Sequence, residues 1–229
     1  MSKEACMDQR NSKSYMGIVI MLGAVWGLSE AALGMWLRSC ASFMSGSIMT
    51  GVALFFIAAS WILSRRILGV ALLVAIACLF KMFDALLLSL PILHGAVGNP
   101  IFAFLMEGLA FLVLLSIYAE KQKHKTARRA ILGGTSALLA VNLFPLVRFA
   151  TGVPACVFPG TTTPLSLYYA PLAVIISCVT VPLGFWLASK IMTLETKFEE
   201  ANRIKALRLI ASPGTLILCL VIITLIRLI

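Results

Sequence analysis

Apolar runs long enough to cross a bilayer follow one another along almost the whole chain, at about 15 to 37, 43 to 63, 67 to 90, 100 to 119, 130 to 148, 166 to 189 and 209 to 229. A hydrocarbon core about 30 Å thick takes about 20 residues of helix per crossing. The 229 residues therefore have room for six or seven spans and for no separate soluble catalytic domain. Inside hydrocarbon every backbone N–H and C=O must find its partner within the protein, which makes runs of this length helices. The chain reads as an all-α integral membrane protein, one polytopic domain over 1–229 built as a bundle of about seven transmembrane helices. Composition agrees: 61% of the residues are hydrophobic and 12% charged, with a mean hydropathy of +1.01, against about 45 to 50% apolar in a soluble domain.

The net charge of +10 matters through its distribution. Lys3, Arg10 and Lys13 precede the first span, Arg65 and Arg66 follow the second, and Lys121, Lys123, Lys125, Arg128 and Arg129 follow the fourth. Lys190, Lys197, Arg203, Lys205 and Arg208 follow the sixth, so fifteen of the nineteen basic residues fall on one side. Arg38, Arg148 and Arg227 fall on the other. The positive-inside rule makes the N-terminus cytoplasmic and the C-terminus external, a parity that seven spans satisfy. The basic excess is thus topological and implies no nucleic-acid partner; the partner of such a surface is the lipid bilayer, and the expected location is the cell membrane.

Residues 1–14 are polar and mixed in charge and read as a cytoplasmic tail. No small-residue cleavage site follows the first apolar run, which is expected to be a retained helix. Between Lys190 and Arg208, apolar residues recur every three or four positions among charges. That segment reads as a cytoplasmic amphipathic linker (190–208), either lying on the surface or extending the sixth span. Cys40 and Cys156 both fall in outer loops, where a disulfide and two free thiols stand open. Cys78, Cys178 and Cys219 fall within spans.

Four ionisable residues interrupt the spans: Glu30, Lys81, Asp84 and Glu107. By the topology above, each lies about six to nine residues from the outer end of its span, roughly 10 Å beneath the outer boundary. A charge in hydrocarbon costs about 2.5 to 3.5 kcal/mol on insertion scales, so such groups face a bundle interior, a watery cavity or one another. Equal depth on three helices favours shared compensation in one polar site nearer the outer face. Gly23, Gly27, Glu30 and Gly34 form a small-residue stripe on the first helix, and Ala103, Glu107 and Ala110 repeat it on the fourth. Lys81 and Asp84 are i, i+3 neighbours able to neutralise each other in part. Glu30 and Glu107 are left needing a proton, a cation, Lys81 or a polar ligand. With three acids to one base, a cationic or amine-bearing solute is favoured.

Asn142 joins the candidate site because it falls with Pro145 in the outer half of the fifth span. A proline there frees a carbonyl, and an amide supplies both donor and acceptor; Pro145 as a simple kink is the plainer reading. Asn99-Pro100 reads as a helix start, and His94 as a surface histidine rather than a metal ligand. The four tryptophans read as interfacial or packing aromatics. Tyr168 and Tyr169 either line a pocket or belong to the same aromatic belt. The outer loop from about Arg148 to Leu165 is rich in turn residues and either caps a site or merely connects two spans.

No Walker A, GxSxG, HExxH or CxxC pattern occurs, so the chain carries no recognisable means of hydrolysing ATP, forming an acyl-enzyme or holding zinc. It is not expected to be an enzyme, and no cofactor is implied. Uphill movement of a solute would draw on an ion gradient or on another subunit. Its size, the outward-side polar residues and the stripe Gly23-Ala24-Val25-Trp26-Gly27-Leu28-Ser29-Glu30-Ala31-Ala32-Leu33-Gly34 make the chain resemble the substrate-binding S components of energy-coupling factor transporters. Those proteins usually have six spans, so the seventh is a departure. The resemblance implies capture of a vitamin or related nutrient, partnership with a transmembrane coupling subunit and two cytoplasmic ATPases, and a docking role for the small face of the first helix.

The resulting expectation is a transport protein binding a small polar solute through Glu30, Lys81, Asp84, Glu107 and Asn142. A proton- or cation-coupled carrier and a non-transporting assembly subunit are the alternatives.

Overall fold

The computed structural model describes residues 3–36, 42–91, 94–118, 126–152, 157, 160, 162–199 and 204–228; of these, the side chains of 3–15, 36, 42–43, 195–199 and 204–210 lie outside the description. The described chain is almost entirely helical: α1 (Lys3–Trp36), α2 (Ser42–Ser64), α3 (Ile67–Leu87), α4 (Gly95–Tyr118), α5 (Thr126–Leu143), α6 (Val147–Thr151), α7 (Leu165–Glu199) and α8 (Ile204–Leu228). A 3-10 turn over Phe144–Leu146 joins α5 to α6, so those elements form one crossing. Seven stretches are long and apolar enough to span a membrane, and the fold is an all-α membrane bundle.

The sequence-based spans and the helices coincide to within a few residues, with three instructive differences. α1 starts at Lys3, so the segment expected as a cytoplasmic tail is continuous with the first helix; Glu, Ala, Met, Gln, Arg and Lys favour helix, and no glycine or proline interrupts them before Gly17. α4 starts at Gly95 with Pro100 inside it. Its opening is set by His94, whose Nδ1 accepts the Ala96 N–H at 3.2 Å and whose carbonyl receives the Val97 and Gly98 N–H groups. α7 runs unbroken to Glu199, which makes the first half of the 190–208 segment an extension of the sixth span.

α2 is the hub. Two-thirds (67%) of its spanning window is buried, and it packs against α1, α3, α4, α5 and α7. Its seam with α7 is tight because glycines stand where a side chain has no room. A methyl group on Gly51 would meet Ile176, and one on Gly184 would meet the Phe55 carbonyl. The main core joins α1, α2, α3, α4, α5 and α7 around Trp26, Leu54, Ile57, Leu73, Phe111 and Leu132. A satellite cluster of Ala24, Ala31, Ile76, Phe80, Cys219 and Ile223 fastens α8 to α1 and α3. α8 is the peripheral helix: 11% of its spanning window is buried. Exposed apolar side chains such as Leu86, Ile117, Ile175 and Ile217 face outward, where hydrocarbon takes the place of water.

Candidate functional site

Glycines on α1 decide how the charged helices meet. A side chain on Gly27 would overlap the Phe80 ring, and one on Gly23 would stand 3.0 Å from Ile76. The glycine stripe is therefore filled by α3, which brings Glu30 of α1 to the level of Lys81. The same contact turns Trp26 into the core, where it is fully buried with its ring centroid 5.0 Å from Phe104 of α4 and 6.4 Å from Phe56 of α2.

The charged residues separate into two groups. In the first, Asp84 is 2% exposed and is gripped by Arg227 of α8, whose Nε donates to Oδ1 at 2.6 Å and Nη2 to Oδ2 at 2.9 Å. Lys81 is a weaker companion, its Nζ 3.5 Å from Oδ2. The expected mutual neutralisation of Lys81 and Asp84 is thus secondary: the planar guanidinium satisfies both carboxylate oxygens at once. Arg227 stands in the last turn of α8, and its long side chain reaches an acid on another helix.

The second group is made by α1, α2 and α4. Glu30 is 4% exposed and accepts the indole N–H of Trp26 at 3.2 Å, so Trp26 is more than the packing residue its sequence context suggests. Glu107 of α4, also 4% exposed, has the Thr50 hydroxyl of α2 in hydrogen-bonding contact. Its Oε2 is buried with no hydrogen-bond partner. Glu30 stands within electrostatic reach of both Glu107 and Lys81, and is the bridge between the two groups.

Glu107 borders a cavity of about 10 Å³ walled by Thr50, Ala103, Ala140, Val141, Phe144 and Tyr169, about the space one water needs. Gly46 admits the Tyr169 ring to this wall, since a side chain there would stand 2.8 Å from it, and the Ser47 hydroxyl donates to the Tyr169 carbonyl at 3.1 Å. Pro145 follows the cavity residue Phe144 in the chain. It has no N–H to return to the carbonyl of Val141, one of the cavity residues, and the helix passes into its 3-10 turn there.

Asn142 does not join either group. It is exposed and its amide donates to the Leu138 carbonyl of its own helix at 2.7 Å, because the cavity takes its neighbours Ala140 and Val141 and turns position 142 outward. The two tyrosines divide likewise: Tyr169 lines the cavity, and Tyr168 is 44% exposed. Cys40 and Cys156 lie outside the described residues, whereas Cys78, Cys178 and Cys219 are free thiols. With Arg227 included, the intramembrane ionisable groups among the described residues are the buried acids Glu30, Asp84 and Glu107 and the partly buried bases Lys81 and Arg227. The unbalanced charge is thereby confined to the Glu30 and Glu107 pair.

No family model matches the sequence, and neither a curated protein nor a solved structure is found to be similar to it.

Proposed function

We propose that the protein is a transport protein of the cell membrane in which Glu107, assisted by Glu30, carries a proton or a small cation. The carrying observation is Glu107 itself, whose buried Oε2 lacks a hydrogen-bond partner and whose side chain is part of the lining of a water-sized cavity. A carboxylate in such a place is stabilised by a proton, a cation or a bridging water. Beside Glu107 are the Thr50 hydroxyl and, within electrostatic reach, the carboxylate of Glu30; Val141, whose carbonyl receives no N–H from Pro145, lines the same cavity. Broken helices with freed carbonyls are the usual construction of cation sites in carriers. Asp84, by contrast, already has a full set of partners and serves to hold α8.

The test is ion movement into proteoliposomes containing only this chain and a pH-sensitive dye, under imposed gradients of protons, sodium, potassium or ammonium. Wild-type protein is expected to respond to one of these gradients. Glu107→Gln is expected to abolish the response at unchanged folded yield. No response to any gradient, or an undiminished response in Glu107→Gln, contradicts the reading.

A second reading, an S component working with a coupling subunit and ATPases, is favoured by the peripheral place of α8, which leaves a six-helix body. It requires two things of the molecule. The cavity would have to open to the roughly 300 Å³ or more of a metabolite pocket, and the coupling subunit would dock elsewhere than on Gly23 and Gly27. ATPase subunits co-purifying in mild detergent with a bound metabolite would decide for it.

A further inference from the structure

A second recess is unrelated to the acids. A groove of about 580 Å³ runs between the N-terminal turns of α5 and the facing part of α7. It exists because the two helices touch closely just beyond it. Gly133 and Gly134 of α5 lie against the Ser177 carbonyl and the Cys178 side chain, and the groove lies between the turns that precede them and the part of α7 that follows Ser177. Cys178 forms its deep end, and Val179 and Leu183 form an apolar wall. Trp186, 57% exposed, stands near its mouth.

At the mouth lies Arg129. Its guanidinium sits 4.9 Å over the Phe185 ring, and its Nε is buried with no hydrogen-bond partner. The groove thus combines one under-satisfied cation with a hydrocarbon-compatible trough. The indole marks the depth at which headgroup meets acyl chain.

We propose that this groove binds an anionic glycerophospholipid of the cytoplasmic leaflet, its phosphate on Arg129 and one acyl chain along Val179 and Leu183. Charge complementarity selects the occupant. A basic recess between helices on the positive-inside face meets the leaflet in which anionic lipids are attracted to it. Guanidinium also matches phosphate geometry better than any other side chain. A zwitterionic lipid presents its phosphate together with a cation that Arg129 repels.

The experiment compares purified full-length protein in detergent micelles supplemented with phosphatidylglycerol or with phosphatidylcholine. It reads retained lipid by native mass spectrometry and alkylation of Cys178 by peptide mapping. Phosphatidylglycerol is expected to be retained and to slow Cys178 alkylation, and phosphatidylcholine to do neither. Arg129→Gln is expected to weaken phosphatidylglycerol retention about fivefold, and Arg129→Lys to keep most of it. Equal retention of both lipids, equal shielding of Cys178 by both, or an unchanged preference in Arg129→Gln overturns the proposal. So does full shielding of Cys178 in lipid-free detergent, which assigns the groove to the chain's own loop. Should Arg129→Gln fail to fold, the wild-type comparison of the two lipids decides alone.

Discussion

Asp84 and Glu107 are carboxyl groups of nearly equal burial with opposite surroundings, and the difference assigns their roles. Asp84 has both oxygens bound by Arg227, so removing one partner leaves the other charge uncompensated in an apolar setting. Arg227→Gln is expected to destabilise the protein by roughly 3 kcal/mol, and the pair Asp84→Asn with Arg227→Gln to recover most of that loss. Lys81→Met is expected to cost under about 1 kcal/mol, because its contact is long and Asp84 keeps its better partner. Thermal unfolding in detergent measures all three; an Arg227→Gln variant as stable as wild type contradicts the assignment. The presence of the buried acids was legible in the sequence because an ionisable residue in an apolar run stands out. Their partners stood out less: Trp26 is an i, i+4 neighbour of Glu30 on the same helix, a spacing present in the sequence but with an ordinary packing explanation, whereas Arg227 meets Asp84 only through the packing of α8 on α1 and α3. Asn142 shows the converse, since its outward direction follows from Ala140 and Val141 taking the cavity face of α5.

At the scale of elements, glycine determines how closely helices meet. Gly27→Val is expected to separate α1 from α3 and to cost about 1 to 3 kcal/mol or more, since the added atoms would overlap Phe80. Gly214 has nothing within 4 Å of an added methyl group, so Gly214→Ala is expected to be neutral or to stabilise α8 by up to about 1 kcal/mol. Loosening of α8 has its own reporter, because Cys219 is 3% exposed in the cluster that holds it. Arg227→Gln is expected to speed Cys219 alkylation without changing that of Cys78; equal rates in wild type and variant argue that α8 is held by apolar contacts alone. Helix existence and order were readable from apolar run length. Helix ends were less so, and α4 illustrates why: Asn99-Pro100 is a strong start signal, but His94 caps the chain earlier and the proline is accommodated within the early turns.

At the scale of the whole molecule, seven crossings and the basic bias require opposite sides for the α4–α5 and α6–α7 connections. Thr162→Cys is expected to react with a membrane-impermeant thiol reagent on intact cells, and Thr126→Cys only after permeabilisation. Reaction of both from outside contradicts the topology. The bundle then has an acid pair in its outer half, a six-helix body around α2, and an eighth helical element clamped to its flank. Carbodiimides that partition into membranes modify carboxyl groups that sit in apolar surroundings and exchange protons there. The most direct test of the account is therefore peptide mapping of dicyclohexylcarbodiimide adducts on the native protein in its membrane. Glu107 is expected to be modified, more slowly when the coupling cation is present, with Asp84 untouched behind Arg227. Modification of Asp84 with Glu107 unreactive at every cation concentration would contradict the assignment of Glu107 as the exchanging group.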